Sequence, residues 1–230
     1  MPGRALEIAL TTGDIHSSFE FWTRLGHTAA ATGDTWSHPY GVVAARGLNL
    51  GLHDAPLDGP VVTLVRPEVA GLVPLLEERG VTPEGLRLGS EVFNELRFSD
   101  PAGLPIRVLE ARTFSPARGV GDSLFGRFEA LSWPAADADA VASFWRRLHV
   151  EPEATGDWAE LRADVGGQAL AWHAPRLARE PLLVFRHPDA AALRATLAAQ
   201  GLAPQARGLA FGAPHLTLVS PEGLRILILA

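Results

Sequence analysis

Carboxylates and histidines are the side chains through which this chain could do chemistry. Glu7, His53 and Glu95 in its first half, and Glu129, His173 and His215 in its second, supply the oxygen and imidazole donors that a divalent ion or a general acid–base pair requires. They fall in separate segments with no diagnostic spacing, unlike a helical His-Glu-x-x-His. Other chemistries are closed by composition. Cysteine is absent, which excludes disulfides, thiolate nucleophiles and Cys-ligated zinc or iron–sulfur centres. All 20 basic residues are arginine, so a Schiff-base lysine and a Walker A lysine are excluded too. There is no Gly-x-Ser-x-Gly elbow, and Gly119-Val120-Gly121 has Leu124 where a dinucleotide fingerprint needs its third glycine.

The elements that must position these residues come in a repeat. Asp14…Phe21-Trp22…Leu25 answers Asp137…Phe144-Trp145…Leu148, and Ala31-Thr32-Gly33-Asp34 answers Ala154-Thr155-Gly156-Asp157, both at an offset of 123. His53-Asp54-Ala55-Pro56 answers His173-Ala174-Pro175, and Asp100-Pro101-Ala102-Gly103-Leu104 answers Ser220-Pro221-Glu222-Gly223-Leu224, at offset 120. Ordered landmarks drifting by so little mark two copies of one unit. The expected division is residues 1–112, a turn-rich linker at 113–125, and residues 126–230.

Each copy has a finer grain. Leu6, Ile8 and Leu10 alternate with Glu7, Ala9 and Thr11, the signature of a half-buried strand. Asp14 can cap a helix whose apolar face is Ile15, Phe19, Trp22 and Leu25, ended by Gly26. Three short strands follow, and the order then restarts at Pro60–Val65 with a helix over Glu68–Arg79 and three strands to Leu109. Pro74 is the misfit; an interior proline costs about 3 kcal/mol, so that helix kinks or starts late. The fold class is therefore α+β, four βαβββ modules in two tandem domains with helices outside curled mixed sheets.

The order β-α-β-β-β, the first strand ending in Thr11-Thr12-Gly13-Asp14, the Phe21-Trp22 pair and the hairpin Phe98-Ser99-Asp100-Pro101-Ala102-Gly103 resemble the vicinal oxygen chelate superfamily of glyoxalases, bleomycin-resistance proteins and extradiol dioxygenases. The second copy repeats the pattern with Phe144-Trp145 and Ser220-Pro221-Glu222-Gly223. The resemblance implies open cups, each holding a small-molecule site and, in the enzymes, one divalent ion on His, Gln or Glu from first and last strands. Carried over position by position, those places hold Glu7, Asn49, one of Pro60, Val61 and Val62, and Arg107 in copy one. In copy two they hold Glu129, Ala169, Leu182 and Leu227. One competent residue in each copy falls short of the three or four that a stable site needs. The expected cofactor is therefore none, with one divalent metal ion as the alternative.

The expected ligand-facing residues are Glu7, Asn49, His53, Glu95 and Arg107 in copy one, and Glu129, His173, His215 and Thr217 in copy two. Trp36 and Trp158 serve as walls. Against these stand plain structural roles: Glu7 and Glu129 as strand residues pairing with arginine, His53 and His173 as rim histidines beside a turn, and Trp22, Trp145 and Trp172 as core. The expected function is metal-free binding of a small cationic or aromatic molecule by charge and cation–π contact. One alternative is a lyase, isomerase or dioxygenase of glyoxalase type; another is a degenerate dimerising scaffold. A formal charge of −6 argues against nucleic acid and anionic membranes as partners, leaving a small molecule and a homodimer mate. No apolar run approaches the roughly 18 residues of a membrane span, and Glu7 breaks the N-terminal one, so the expected compartment is the cytoplasm.

Overall fold

A computed structural model describes residues 2–33, 35–116, 119–204 and 214–230. The first copy runs β1 (Arg4–Thr11), α1 (Ile15–Arg24), β2 (Thr28–Ala30), β3 (Tyr40–Ala45), β4 (Leu48–His53), β5 (Val61–Val65), a 3-10 turn (Val69–Gly71), α2 (Leu72–Glu78), β6 (Gly85–Arg87), β7 (Glu95–Ser99) and β8 (Pro105–Leu109). Its strands form one open sheet in the order β2-β3-β4-β1-β5-β8-β7-β6. The second copy runs β9 (Arg127–Pro134), α3 (Ala138–Arg147), β10 (Glu153–Ala154), β11 (Leu161–Val165), β12 (Gln168–His173), β13 (Leu182–Arg186), α4 (Ala190–Ala199), β14 (His215–Val219) and β15 (Arg225–Leu229). Its sheet is ordered β10-β11-β12-β9-β13-β15-β14. Both sheets are mixed, as expected: the two first strands of each copy pair antiparallel at the centre, and each lies parallel to the last strand of its module. The first of the three strands expected after α4 lies outside the described residues.

Local chemistry accounts for the helices. Asp14, Asp137 and Asp189 each accept the backbone N–H three residues on, closing α1, α3 and α4 at their N-termini. Pro74 is the third residue of α2, which starts late at Leu72. There a proline forfeits no hydrogen bond, because first-turn N–H groups have no intrahelical partner.

One core spans both sheets. Trp22, Trp145, Trp172, Phe125 and Phe185 are fully buried in it, together with Ile8, Leu50 and Leu52. Buried indoles need an acceptor, and each copy finds one in the other copy's final hairpin. Trp22 Nε1 donates to Glu222 at 3.2 Å. Trp145 Nε1 and Trp172 Nε1 donate to Asp100 Oδ2 at 3.2 and 2.8 Å, while Asp100 Oδ1 takes the N–H groups of Ala102 and Leu104. The Asp100-Pro101 hairpin therefore clasps the two copies together. The segment 113–125 is anchored at both ends, with Phe114 packed beside Leu6 and Phe125 in the common core.

The strand alternation read from sequence fails at one residue. Leu6 does not share a face with Ile8 and Leu10; it packs with Val42, Leu109 and Phe114 on the opposite, inner face. A β-bulge between Ala5 and Glu7 inserts an extra residue and resets the alternation.

Candidate functional site: the inner face of the first sheet

Glu7 sits at the centre of the first sheet's inner face. Register places Glu7, Thr63 and Arg107 side by side on β1, β5 and β8. The Glu7 carboxylate is fully buried and accepts from three groups: Tyr40 Oη at 2.5 Å, His53 Nε2 at 3.2 Å and Arg107 Nη2 at 3.3 Å. Arg107 also donates to Thr63 Oγ1 at 3.0 Å, and the Thr113 hydroxyl lies 3.1 Å from Tyr40 Oη. Burial pulls the Arg107 guanidinium below its ordinary range, and the Glu7 charge opposes that shift. Burial, then the charge of Glu7, pushes the Tyr40 hydroxyl far above the usual phenol value, so it stays a donor.

A second chain of contacts leads outward. His53 Nδ1 lies 2.9 Å from His38 Nε2. With Nε2–H of His53 given to Glu7, its Nδ1 is the acceptor and His38 Nε2 the donor, which leaves His38 Nδ1 as a lone pair at a half-buried position. Burial is the largest cause lowering the His38 pKa, with the Arg107 charge adding to it, which favours the neutral imidazole. Trp36 covers this chain, with His53 5.5 Å and His38 5.6 Å from its ring and the Arg107 guanidinium over its face at 4.8 Å.

Gly51 makes room for the carboxylate. A Cβ there would stand 2.2 Å from Glu7 Oε2 and 2.5 Å from its carboxyl carbon. Gly51→Ala is expected to cost about 1–3 kcal/mol by overpacking and to break the His53–Glu7 contact. A melting curve measures the first effect. The imidazole proton resonances of His53 report the second, and a spectrum identical to that of the parent would contradict the placement.

The remaining expected residues divide. Glu95 stays apart from Glu7 and His53; it forms an ion pair with Arg97 at 3.7 Å. Glu95, Arg97 and Arg107 line one cavity of ≈ 360 Å³ with Val61, Asp58 and Glu84. Asn49 ties Nδ2 to the Leu6 carbonyl at 2.9 Å and borders a different cavity, between the two copies. The rim reading of His53 is overturned, since it is wholly buried and its imidazole bonds to both Glu7 and His38. Sequence reading also passed over His38, Tyr40, Thr63 and Thr113. Their only signal was alternation: Tyr40, the sole tyrosine, faces His53 across β3 and β4.

The second inner face is a different surface. The β1 bulge recurs in β9 between the pairs Phe128–Phe185 and Ala130–Val184. The structural counterparts of Glu7, Thr63 and Arg107 are thus Ala130, Val184 and Leu227: Leu227 stands where expected, whereas Ala130 takes the place expected for Glu129. All three lie in one apolar cluster with Trp158. Glu129 is displaced by one residue and held by Arg127, by Arg186 at 3.3 Å and by Arg162 at 3.5 Å. Arg162 in turn lies over Trp158 at 4.9 Å. His173 does sit where His53 does, but Ser132 Oγ at 2.7 Å and the Ala178 carbonyl at 3.2 Å are its partners. That geometry fixes Nε2 as donor. Burial brings its pKa down to about 4. His215 starts β14 half-buried, and Thr217 faces Leu227. The trio Glu129, His173 and His215 is not assembled: register aligns His173 with Pro134, five residues along β9 from Glu129, or roughly 17 Å of strand.

Solved structures share this architecture along nearly the whole chain. An extradiol ring-cleaving dioxygenase from B. fuscum matches with a TM-score of 0.65 at 17% identity, over 99% of this chain and 71% of its own. A catechol 2,3-dioxygenase matches at 0.61 and 14% identity, over 98% and 91%. The Mn(II)-bound glyoxalase of Novosphingobium aromaticivorans matches at 0.58 and 15%, over 98% and 81%. The fold is that of these extradiol dioxygenases and this glyoxalase. No family model and no curated protein matches the sequence.

The Novosphingobium glyoxalase holds Mn(II); the residues present at the matching face of this chain do not fit a divalent ion. The Glu7 carboxylate already receives three donors, one of them the permanent cation of Arg107, which lies one strand beyond Thr63. Thr63, next to it, is a poor ligand. Among the described residues no three of His, Asp and Glu gather as a metal centre.

Proposed function

We propose that the chain binds a small organic cation, without a metal, in the cavity bordered by Glu95 and Arg107. The observation that carries this reading is the guanidinium of Arg107, which neutralises Glu7 on one side and lines the cavity on the other. Asp58, Glu84 and Glu95 then face Arg97 and an Arg107 already balanced by Glu7, so the lining is net acidic. A volume of ≈ 360 Å³ is at the small end of ligand cavities. Calorimetry with benzyltrimethylammonium tests it. Binding is expected, and Glu95→Gln is expected to weaken it by up to about fivefold, the worth of one charge–charge contact in a solvent-open cavity. Stoichiometric metal in protein purified without chelator, lost in Glu7→Gln, would sink the metal-free reading.

A second reading is supported by the Glu7–His53–His38 chain: proton abstraction by His38 Nδ1, with the proton relayed toward Glu7. Deuterium uptake into a simple ketone such as acetone, abolished by both His38→Gln and His53→Gln, would favour it over binding alone.

A further inference from the structure

A larger groove lies between the two copies, at one end of the first sheet. Its volume is ≈ 980 Å³. Three arginines wall it: Arg4 at the start of β1, Arg66 just beyond β5 and Arg112 just beyond β8. Sheet register brings them together, because Arg4 pairs with Val65 and Val65 with Leu109 at one end of the sheet. The β11–β12 turn of the other copy, Gly166-Gly167, forms the opposite side. It is docked firmly: Ala5 N–H donates to the Gly166 carbonyl at 2.7 Å. A Cβ on Gly166, whose φ is +66°, would stand 2.4 Å from the Gly3 carbonyl oxygen.

The charge balance of the groove is unusual for a chain of net charge −6. None of these three guanidiniums makes an ion pair or a side-chain hydrogen bond among the described residues. The two carboxylates at the groove keep their charge but take hydrogen bonds from neutral groups, so three arginines against two carboxylates leave the lining net positive by one charge. Glu110 Oε2 accepts from the Val69 N–H at 3.2 Å and Asn94 Nδ2 at 3.0 Å, and Asp164 Oδ1 accepts the Gly167 N–H at 2.7 Å. Three forked donors thus converge beside the apolar carbons of Val65 and Pro67. Guanidinium forks match carboxylate and phosphate oxygens in pairs.

We propose that this groove is a second ligand site, built for a small organic dianion of the phosphate-monoester or dicarboxylate class. Its guanidiniums take the anionic group, and Val65 and Pro67 take the organic body. The site is independent of the cation reading above and opposite to it in charge.

Titration calorimetry with phenyl phosphate at low ionic strength tests it. One-to-one binding is expected, weakened at least about tenfold in Arg66→Gln/Arg112→Gln and also by added salt, since the guanidiniums are solvent-facing. Arg176→Gln, at an exposed arginine on the second copy, is expected to change nothing. Arg4→Gln alone, at an exposed position, serves as a second variant should the double substitution misfold, and is expected to weaken binding severalfold. Glu95→Gln, which weakens benzyltrimethylammonium binding, is expected to leave phenyl phosphate binding intact, so each site can fail separately. The proposal is overturned by absent binding, by unchanged affinity in the arginine variants, or by inorganic phosphate binding as tightly as phenyl phosphate. It is equally overturned if RNA or anionic vesicles bind there and phenyl phosphate does not displace them.

Discussion

Arg107→Gln is expected to lower the melting temperature by roughly 6–20 °C. Removing one partner of a buried ion pair strands the other charge, which costs about 3–5 kcal/mol, and in a chain of this length each kcal/mol moves the midpoint by about 2–4 °C. Glu7 is fully buried and Arg107 nearly so, so solvent cannot take over the role of the lost guanidinium. The double variant Glu7→Gln/Arg107→Gln removes both charges and is expected to recover much of the loss. Arg107→Glu makes the sharper test. It places a second carboxylate beside Glu7 and His53, and that set of oxygen and imidazole donors is suited to a divalent ion. Its stability is expected to depend on added Mn²⁺ or Zn²⁺, by about 2.7 kcal/mol at a hundredfold excess over the dissociation constant, and to fall again with chelator. An Arg107→Gln midpoint within 2 °C of the parent would show that the guanidinium does not balance Glu7.

Acid is expected to destabilise the protein well above the pH at which carboxylates titrate. Burial brings both His27 and His173 down to about 4 from an ordinary 6.5. Between those values the unfolded chain binds more protons than the folded one, so stability rises with pH across this window. It is complete above pH 6.5 and is lost as the pH falls toward 4. Each histidine contributes on the order of 3 kcal/mol over that range. Asp100 acts in the opposite sense, because burial raises its pKa against the four hydrogen bonds that lower it. His27 offers a clean variant. Neither of its ring nitrogens has a hydrogen-bond partner among the described residues, and it rests edge-on against Trp22 at 5.0 Å. His27→Leu is expected to raise stability near pH 5 and to reduce the slope of stability against pH by about half. Urea titrations from pH 4 to 7.5 measure this, and parallel slopes for variant and parent would contradict it.

The duplicated α+β architecture was legible in the residues themselves. Asp14 and Asp137 before an apolar helical stripe, Phe-Trp at matched places, and Gly-closed hairpins are local signals, set by hydrogen-bond geometry and side-chain periodicity within a few residues. The burial of Trp22, Trp145 and Trp172 followed from the same periodicity. That Arg107 takes the place of a metal ligand was implied by the family resemblance and not by periodicity.

Only the tertiary structure decided what each inner face contains. A single extra residue in β1 and again in β9 shifts which side chains share a face, and nothing in the composition of Leu6-Glu7 or Phe128-Glu129 announces a bulge. That shift leaves Ala130 where Glu129 was expected and turns the second inner face into packed hydrocarbon. It also takes sheet pairing to bring Tyr40 and His53 onto Glu7 from two other strands, with His38 reaching His53 from a loop, and to gather Arg4, Arg66 and Arg112 from three separate segments of the chain. Strand alternation is a short-range rule, whereas register and the meeting of distant strand ends are properties of the assembled sheets.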